Sequence, residues 1–276
     1  MSLQIRLTMR SKLYMFILLV AALLSCSCSS SKAQPFEVGY PYGLPQWEKS
    51  AKNEQVIEHT GYVVSYNTSL NIANYVAWTL TKDRLAPVVS RKVARFERDP
   101  QLPKANAVEY YDYKESGYDR GHLCPAADNT WRLQAMTDCF LMSNICPQHH
   151  TLNAGVWNDL EIACRRWAQQ GDTVHIVAGP LFNNAAKAPS IGHSHKVPVP
   201  DRFYKVILRC NGSKRMALAF IYTNDNKNIK IPNGIVSIDK VARLTGLTFF
   251  PDYIAADRKA LFSNTSADGW QFYWPK

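Results

Sequence analysis

Residues 118–161 carry three short motifs in order. Asp119-Arg120-Gly121-His122 comes first, then Ser143-Asn144-Ile145-Cys146-Pro147-Gln148, then Leu152-Asn153-Ala154-Gly155-Val156-Trp157-Asn158-Asp159-Leu160-Glu161. Each residue type brings a distinct chemistry. A histidine titrating near neutrality can take a proton from water. The planar fork of Arg120 suits phosphate oxygens, and Gly121 lets the backbone turn closely between the two side chains. Amide and carboxylate oxygens, from Asn153 and Glu161, are donors for a hard divalent cation. Together these residues point to metal-assisted cleavage of a phosphodiester.

Each has a plain alternative. The chain holds seven histidines, and most histidines are structural. Asn153 stands where a helix begins, and asparagine is a common N-cap. Glu161 lies two turns further on and about 80° round an ideal helix, where a solvated charge is ordinary. The chain has no tight cluster of Asp and Glu of the two-metal kind, which favours one cation working with a histidine base.

Outward from the motifs, the pattern is α+β. Residues 61–66 and 73–81 read as strands; in the second, Val76, Trp78 and Leu80 alternate with Tyr75, Ala77 and Thr79. Residues 83–116 are irregular, charged and rich in tyrosine. Residues 131–137 read as a short helix or turn and 140–142 as a brief strand. Trp157, Leu160, Cys164 and Trp167 recur at helical spacing, so a helix is predicted over 153–170, with Gly171 as its stop. Strands follow at 173–178, 203–208 and 216–222, with Asn211-Gly212 as a hairpin turn. Ser237 or Asp239 caps a short helix ending at Gly246. There is no internal repeat and no second core, so one mature domain is expected.

The 276 residues carry a formal charge of +10 with pI near 9.2, a balance that favours an anionic partner. Three of those charges, Arg6, Arg10 and Lys12, precede the apolar run 13–24, which is short for a membrane span and reads as a signal-peptide core. Leu23-Leu24-Ser25-Cys26 resembles a bacterial lipobox, which would lipidate Cys26 and anchor the protein to a membrane. Cleavage after Ser31-Lys32-Ala33 is the competing reading. Either exports the protein, to the periplasm, outer membrane or cell surface as a lipoprotein, or by secretion. The expected division is a signal peptide over 1–25, a tether over 26–54 and the domain over 55–276. Beyond Cys26 and Cys28 there are five cysteines (Cys124, Cys139, Cys146, Cys164, Cys210), an odd number without CxxC spacing. They read as small buried hydrophobes with at most a bridge, pairing unspecified, and not as a zinc site.

Asp-Arg-Gly-His, Ser-Asn-x-x-Pro-Gln and Leu-Asn-x-x-x-Trp-x-x-Leu-Glu, taken in order, closely resemble the DNA/RNA non-specific endonuclease family. This is the ββα-metal group of the Serratia-type nucleases and endonuclease G. The likeness runs from about Tyr62 to about Phe250. It takes in Phe96-Glu97-Arg98-Asp99-Pro100, Val199-Pro200 with Phe203-Tyr204-Lys205, and the run Leu244-Thr245-Gly246-Leu247-Thr248-Phe249-Phe250. The resemblance implies a ββα-metal fold with a central, mainly antiparallel sheet flanked by helices. It implies Mg²⁺ as cofactor, with Mn²⁺ as the substitute, and DNA and RNA as substrates cut to 5′-phosphate and 3′-hydroxyl ends.

The resemblance also implies roles. His122 would be the general base and Asn153 the direct metal ligand. Glu161 would hold a metal-bound water, and Asn144 would help to position His122 and the substrate. Arg120 would bind phosphate, and Asp119 would orient the turn. The family uses an upstream arginine as well, and Arg91 and Arg95 both fit the spacing. Cys146 stands where relatives often carry Thr or Ala. His149-His150 and His193-Ser194-His195 read as polar loop residues. Tyr110, Tyr111, Tyr113 and Tyr118, near Lys114 and Arg120, would either stack bases or cover a sheet edge. Two other classes fit the same residues: an inactive nuclease-like binding module, and a phosphodiesterase acting on small nucleotides. The sequence does not set the oligomeric state.

Overall fold

The computed structural model describes residues 39–49 and 53–273. The leader, Cys26, Cys28 and both cleavage points lie outside these residues. In chain order the strands are β1 (Gln46–Trp47), β2 (Glu54–Glu58), β3 (Val63–Asn67), β4 (Ile72–Leu80), β5 (Asp119–His122), β6 (Ile145–Gln148), β7 (Thr173–Leu181), β8 (Ser190–Ile191), β9 (Val197–Pro198), β10 (Arg202–Asn211), β11 (Lys214–Thr223), β12 (Ile235–Val236) and β13 (Leu247–Thr248). The α-helices that matter here are α1 (Leu133–Asp138), α2 (Asn158–Gln169), α3 (Ile238–Thr245) and α4 (Arg258–Ser263).

Seven strands form one sheet in the order β12-β11-β10-β7-β4-β3-β2. Every neighbouring pair is antiparallel. Period-two alternation gives the sheet two apolar faces. On one face Val76, Trp78, Ile176, Phe203 and Ile207 pack against Trp157, Leu160, Cys164 and Trp167 of the α2 region. On the other, Tyr75, Ala77, Val177, Tyr204, Val206 and Leu208 pack under α3 and α4 through Ile238, Val241 and Phe262. The result is an α+β arrangement with a largely antiparallel central sheet covered on both sides.

The expected strands at 61–66, 73–81, 173–178, 203–208 and 216–222 are all present, shifted by a few residues. Gly212 takes φ +55° in the β10–β11 turn. Ser237 caps α3 by accepting from the Lys240 amide, and Gly246 ends that helix at φ +71°.

Four expectations are corrected. Residues 140–142 are not a strand: Leu141 makes a single bridge to Glu97, and Met142–Asn144 is a 3-10 turn. The helix expected over 153–170 is broken, because Asn153–Trp157 is a π-turn in which Gly155 leaves helical geometry before α2 begins. Residues 39–49, read as tether, are packed onto the domain. β1 pairs with β13, Tyr40 Oη donates to the Ala77 carbonyl at 2.7 Å, and Tyr75 Oη donates to the Pro45 carbonyl. The five cysteines are all free, four of them buried, so the allowance for a bridge among them falls away.

Candidate active site

The first two motifs build a two-stranded ribbon apart from the main sheet. β5 and β6 pair antiparallel, with Arg120 opposite Pro147, Gly121 opposite Cys146 and His122 opposite Ile145. Gly121 is required by closeness: a Cβ there would overlap the side chain of Gln148, which is itself fully buried. The ribbon therefore presents Arg120 and His122 from a backbone with no slack.

His122 is held on several sides. Its ring sits 4.9 Å from Phe140 and 5.4 Å from Phe96, centroid to centroid. Its carbonyl accepts a hydrogen bond from Trp157 Nε1 at 3.2 Å. Nε2 is buried without a hydrogen-bond partner. Burial lowers the imidazole pKa to about 3, helped by the positive charge of Arg91. The ring is thus kept neutral.

Asn153 is not an N-cap. It lies in helical φ/ψ, and the cap of the preceding turn is His149, whose side chain accepts from the Thr151 amide. The Asn153 side chain points to the ribbon, where Nδ2 donates to Asp119 Oδ2 at 2.8 Å. An ionised carboxylate only accepts, so this bond fixes the amide with its oxygen turned away from Asp119. The π-turn that carries Asn153 is the kind of helical irregularity that concentrates at functional sites.

Glu161, on the first turn of α2, is buried rather than solvated. Burial raises its pKa to about 7 against the pull of Lys205 and Arg165. Lys205 Nζ stands 3.8 Å from Glu161 Oε1. Arg165, one turn beyond Glu161, is paired with buried Asp128 at 3.0 Å, and Asp128 also accepts from Trp78 Nε1.

These groups meet in one cleft of about 530 Å³ whose lining includes Arg91, Arg120, His122, Asn153, Glu161 and Arg165. Arg91 joins the cleft. Arg95 instead lines a separate groove with Phe96, Glu97 and Arg98. A shallower extension shares Arg91, Arg120 and Asn153 and adds Tyr113, Tyr118 and Lys114. Tyr110 and Tyr111 lie away from the cleft, exposed and edge to face.

Asn144, expected to help position His122 and the substrate, lies behind the cleft lining. It is fully buried, its oxygen accepts from the Cys124 amide, and its nitrogen donates to the carbonyls of Cys124 and Cys139. It fixes the backbone just after His122 and does not line the cleft. The loop histidines are tied to neighbouring protein groups. His149 is the cap, His150 pairs with Asp119, and both ring nitrogens of His195 are engaged, by Asp112 and by the Lys104 carbonyl.

Among the described residues no group of three or more His, Cys, Asp or Glu could hold a metal ion. The oxygen donors that line the cleft include the oriented Asn153 amide, the Asn158 amide, the Thr130 hydroxyl and a single carboxylate, Glu161. That fits a hard cation that keeps most of its water, as Mg²⁺ does, and not zinc.

Residues 46–255 match the DNA/RNA non-specific endonuclease family. The chain belongs to that family. It is 35% identical over 223 residues to the mitochondrial nuclease EXOG of Danio rerio, covering 76% of this chain and 63% of that protein. It is 32% identical to the mitochondrial endonuclease G of Homo sapiens, covering 78% and 73%. The fold resembles the solved structure of an EndoG/EndoGI complex, with TM-score 0.69, 29% identity, and 77% of this chain and 89% of that one covered. The match spans under two thirds of the EXOG relative's length.

Within this endonuclease fold, sequence reasoning missed Lys205, Arg165 and Asp128. Arg165 was within reach, since it stands four residues after Glu161 and so on the same helix face. Lys205 is the lone charge within the apolar run 203–208, a signal by itself. Asp128 left no local trace.

Proposed function

We propose that the chain is a metal-dependent, sugar-non-specific endonuclease hydrolysing phosphodiester bonds of DNA and RNA, with a histidine base and a single cation. One observation carries this: His122, the oriented Asn153 oxygen and Glu161 share a cleft with three arginines. Bound in the cleft, Mg²⁺, or Mn²⁺ in its place, would supply Lewis acidity toward the phosphate oxygens. Asn153 would hold it directly and Glu161 through water.

The rest is work for the chain's own side chains. With Nε2 sealed in protein, Nδ1 is the nitrogen left to take a proton from the attacking water. Arg91, Arg120 and Arg165 place positive charge where the phosphoryl oxygens gather negative charge, and they do so in a partly water-excluded site. Phe96 and Phe140 limit the ring's movement. Contacts to phosphate carry no base information, so little sequence preference follows. The products are taken to be 5′-phosphate and 3′-hydroxyl ends. Export, with lipidation of Cys26 as the favoured route, rests on the leader sequence alone.

The test is degradation of plasmid DNA and of RNA in Mg²⁺, with and without EDTA, beside His122→Ala. Loss of the base should lower the rate by about 10²- to 10⁴-fold with the melting curve unchanged. An EDTA-resistant wild type would refute the cation, and an active His122→Ala would refute the base. A wild type that binds nucleic acid without cutting it would leave only the inactive module.

A further inference from the structure

Lys205 is a residue whose placement core packing alone does not explain. It occupies the middle of β10, opposite Ala178 of β7 on one side and Phe220 of β11 on the other. It is 0% exposed. Its ammonium has no hydrogen-bond partner. The group lies 4.1 Å from the centroid of Trp157 and 5.7 Å from that of Trp78, so two indole faces enclose it. The nearest anion is Glu161 Oε1, at 3.8 Å.

An ammonium is among the costliest groups to bury, and a buried ion pair commonly contributes less to stability than apolar residues of the same volume. A methionine, unbranched and of similar length, would fill the slot between the two tryptophans without that penalty. Stability therefore argues against lysine here. The contact with Glu161 is one that methionine could not supply, and Glu161 lines the cleft while Lys205 does not. A cation-holding carboxylate is commonly oriented by a partner behind it, whose loss weakens the metal by about 10- to 100-fold.

We propose that Lys205 is a positioning residue: from the core between the sheet and α2 its positive charge holds the Glu161 carboxylate toward the cleft, and so toward the cation. The proposal rests on the cation-binding reading above. Trp157 serves both halves of the site, since its ring lies under the Lys205 ammonium while its indole N–H holds the His122 carbonyl.

The experiment compares wild type, Lys205→Met, Glu161→Gln and the double variant, all prepared metal-free. Mn²⁺ affinity is read by calorimetry, and melting temperature without metal is read separately. Lys205→Met should weaken Mn²⁺ by about 10- to 100-fold. In the Glu161→Gln background the same substitution should weaken it no further. Glu161→Gln alone strands the ammonium and should lower Tm by about 5 °C or more, and adding Lys205→Met should restore it.

Wild-type Mn²⁺ affinity in Lys205→Met would overturn the proposal, as would a further loss in the double variant. So would a double variant less stable than Glu161→Gln, which would make Lys205 a support of the fold. If Lys205→Met alone does not fold, the double variant still decides. A wild type that binds no cation sinks the cation-binding reading itself, a result distinct from any of these.

Discussion

Asp119 is the residue that decides which end of the Asn153 amide faces the cleft, and its replacement separates orientation from chemistry. In the wild type Asp119 Oδ2 accepts from Asn153 Nδ2 at 2.8 Å. Asp119→Asn keeps the shape but changes the logic, since an amide at 119 can accept from Asn153 Nδ2 or donate to Asn153 Oδ1. The two arrangements are close in energy, so about half the molecules would turn the wrong atom toward the cation. The charge is lost too. A hydrogen bond to a charged group is worth about 1.5–3 kcal/mol and a neutral one about 0.5–1.5, so roughly 1 kcal/mol goes, about fivefold. Multiplied, the two effects give a loss of cation affinity of about tenfold. Asp119→Ala removes the bond outright and should lose about 10- to 100-fold, toward the lower end because Asp119 keeps 32% of its side chain exposed. The His150 contact adds little, as that ring is 76% exposed. The assay is Mn²⁺ calorimetry on metal-free protein beside initial rates over a Mg²⁺ series. Both variants should shift the cation dependence and recover much of their rate at saturating Mg²⁺, whereas His122→Ala should lose rate without a shift. If both Asp119 variants hold cation within twofold of wild type while Asn153→Ala does not, Asp119 does not orient the amide.

Arg91→Ala should reduce kcat/KM by about 10²-fold, and Arg95→Ala should stay within about threefold, because only Arg91 lines the cleft; equal losses would undo that assignment. Gly121→Ala should lose activity and about 1–3 kcal/mol of stability, since its Cβ would run into buried Gln148, and a wild-type melting curve would show that the ribbon gives. Asp112 gives the pH dependence. Burial pushes its pKa up, but hydrogen bonds from the Glu109, Ser194 and His195 amides and the His195 ring outweigh burial and leave it lowered. A lowered carboxylate stabilises the fold above its unfolded value near 3.9 and loses that stabilisation as pH falls through the folded value. Asp112→Asn should therefore melt about 4–8 °C below wild type at pH 7, with the gap closing as the pH falls below the unfolded value and through the lowered folded one; a gap that persists in acid would count against the carboxylate's charge as its source.

What was legible in the sequence follows from the range of the interaction involved. The alternation of Val76, Trp78 and Leu80 and the spacing of Trp157, Leu160, Cys164 and Trp167 are local signals of burial, and both stand in the two-faced sheet and in α2. The break at Asn153–Trp157 was hidden because apolar spacing survives a π-turn, while backbone geometry at Gly155 does not show in composition. Choosing Arg91 over Arg95 needed the fold of residues 83–116, which is set by distant polar ties. Asp99 takes hydrogen bonds from His59 and Ser143, and Asp112 takes them from the loop between β8 and β9. Asn144 was recognisable as belonging to the site's motif, but its role depended on which carbonyls surround it. The plain readings of Asn153 as a cap and Glu161 as a solvated charge failed for one reason: both side chains point inward, a direction set by packing across the ribbon.

The same packing explains why the site can be built on such short elements. β5, β6 and the π-turn have too little regular structure to hold their own geometry, so their positions are inherited from α2 and the sheet. α2 is tied to β10 near both of its ends by one arrangement used twice. Near its start Lys205 faces Glu161 and lies against Trp157 and Trp78; near its end Arg209 pairs with Asp172 at 2.6 Å and lies over Trp167 and Trp270. Apolar contacts alone would tolerate a helix sliding along the sheet, because one aliphatic patch resembles the next. One buried and one half-buried cation, each paired with a carboxylate, admit one register. That register sets the depth of Glu161 and, through the Trp157 indole and the His122 carbonyl, the place of His122. The polar groups that cost the core stability are the ones that bring the two halves of the cleft to a common point.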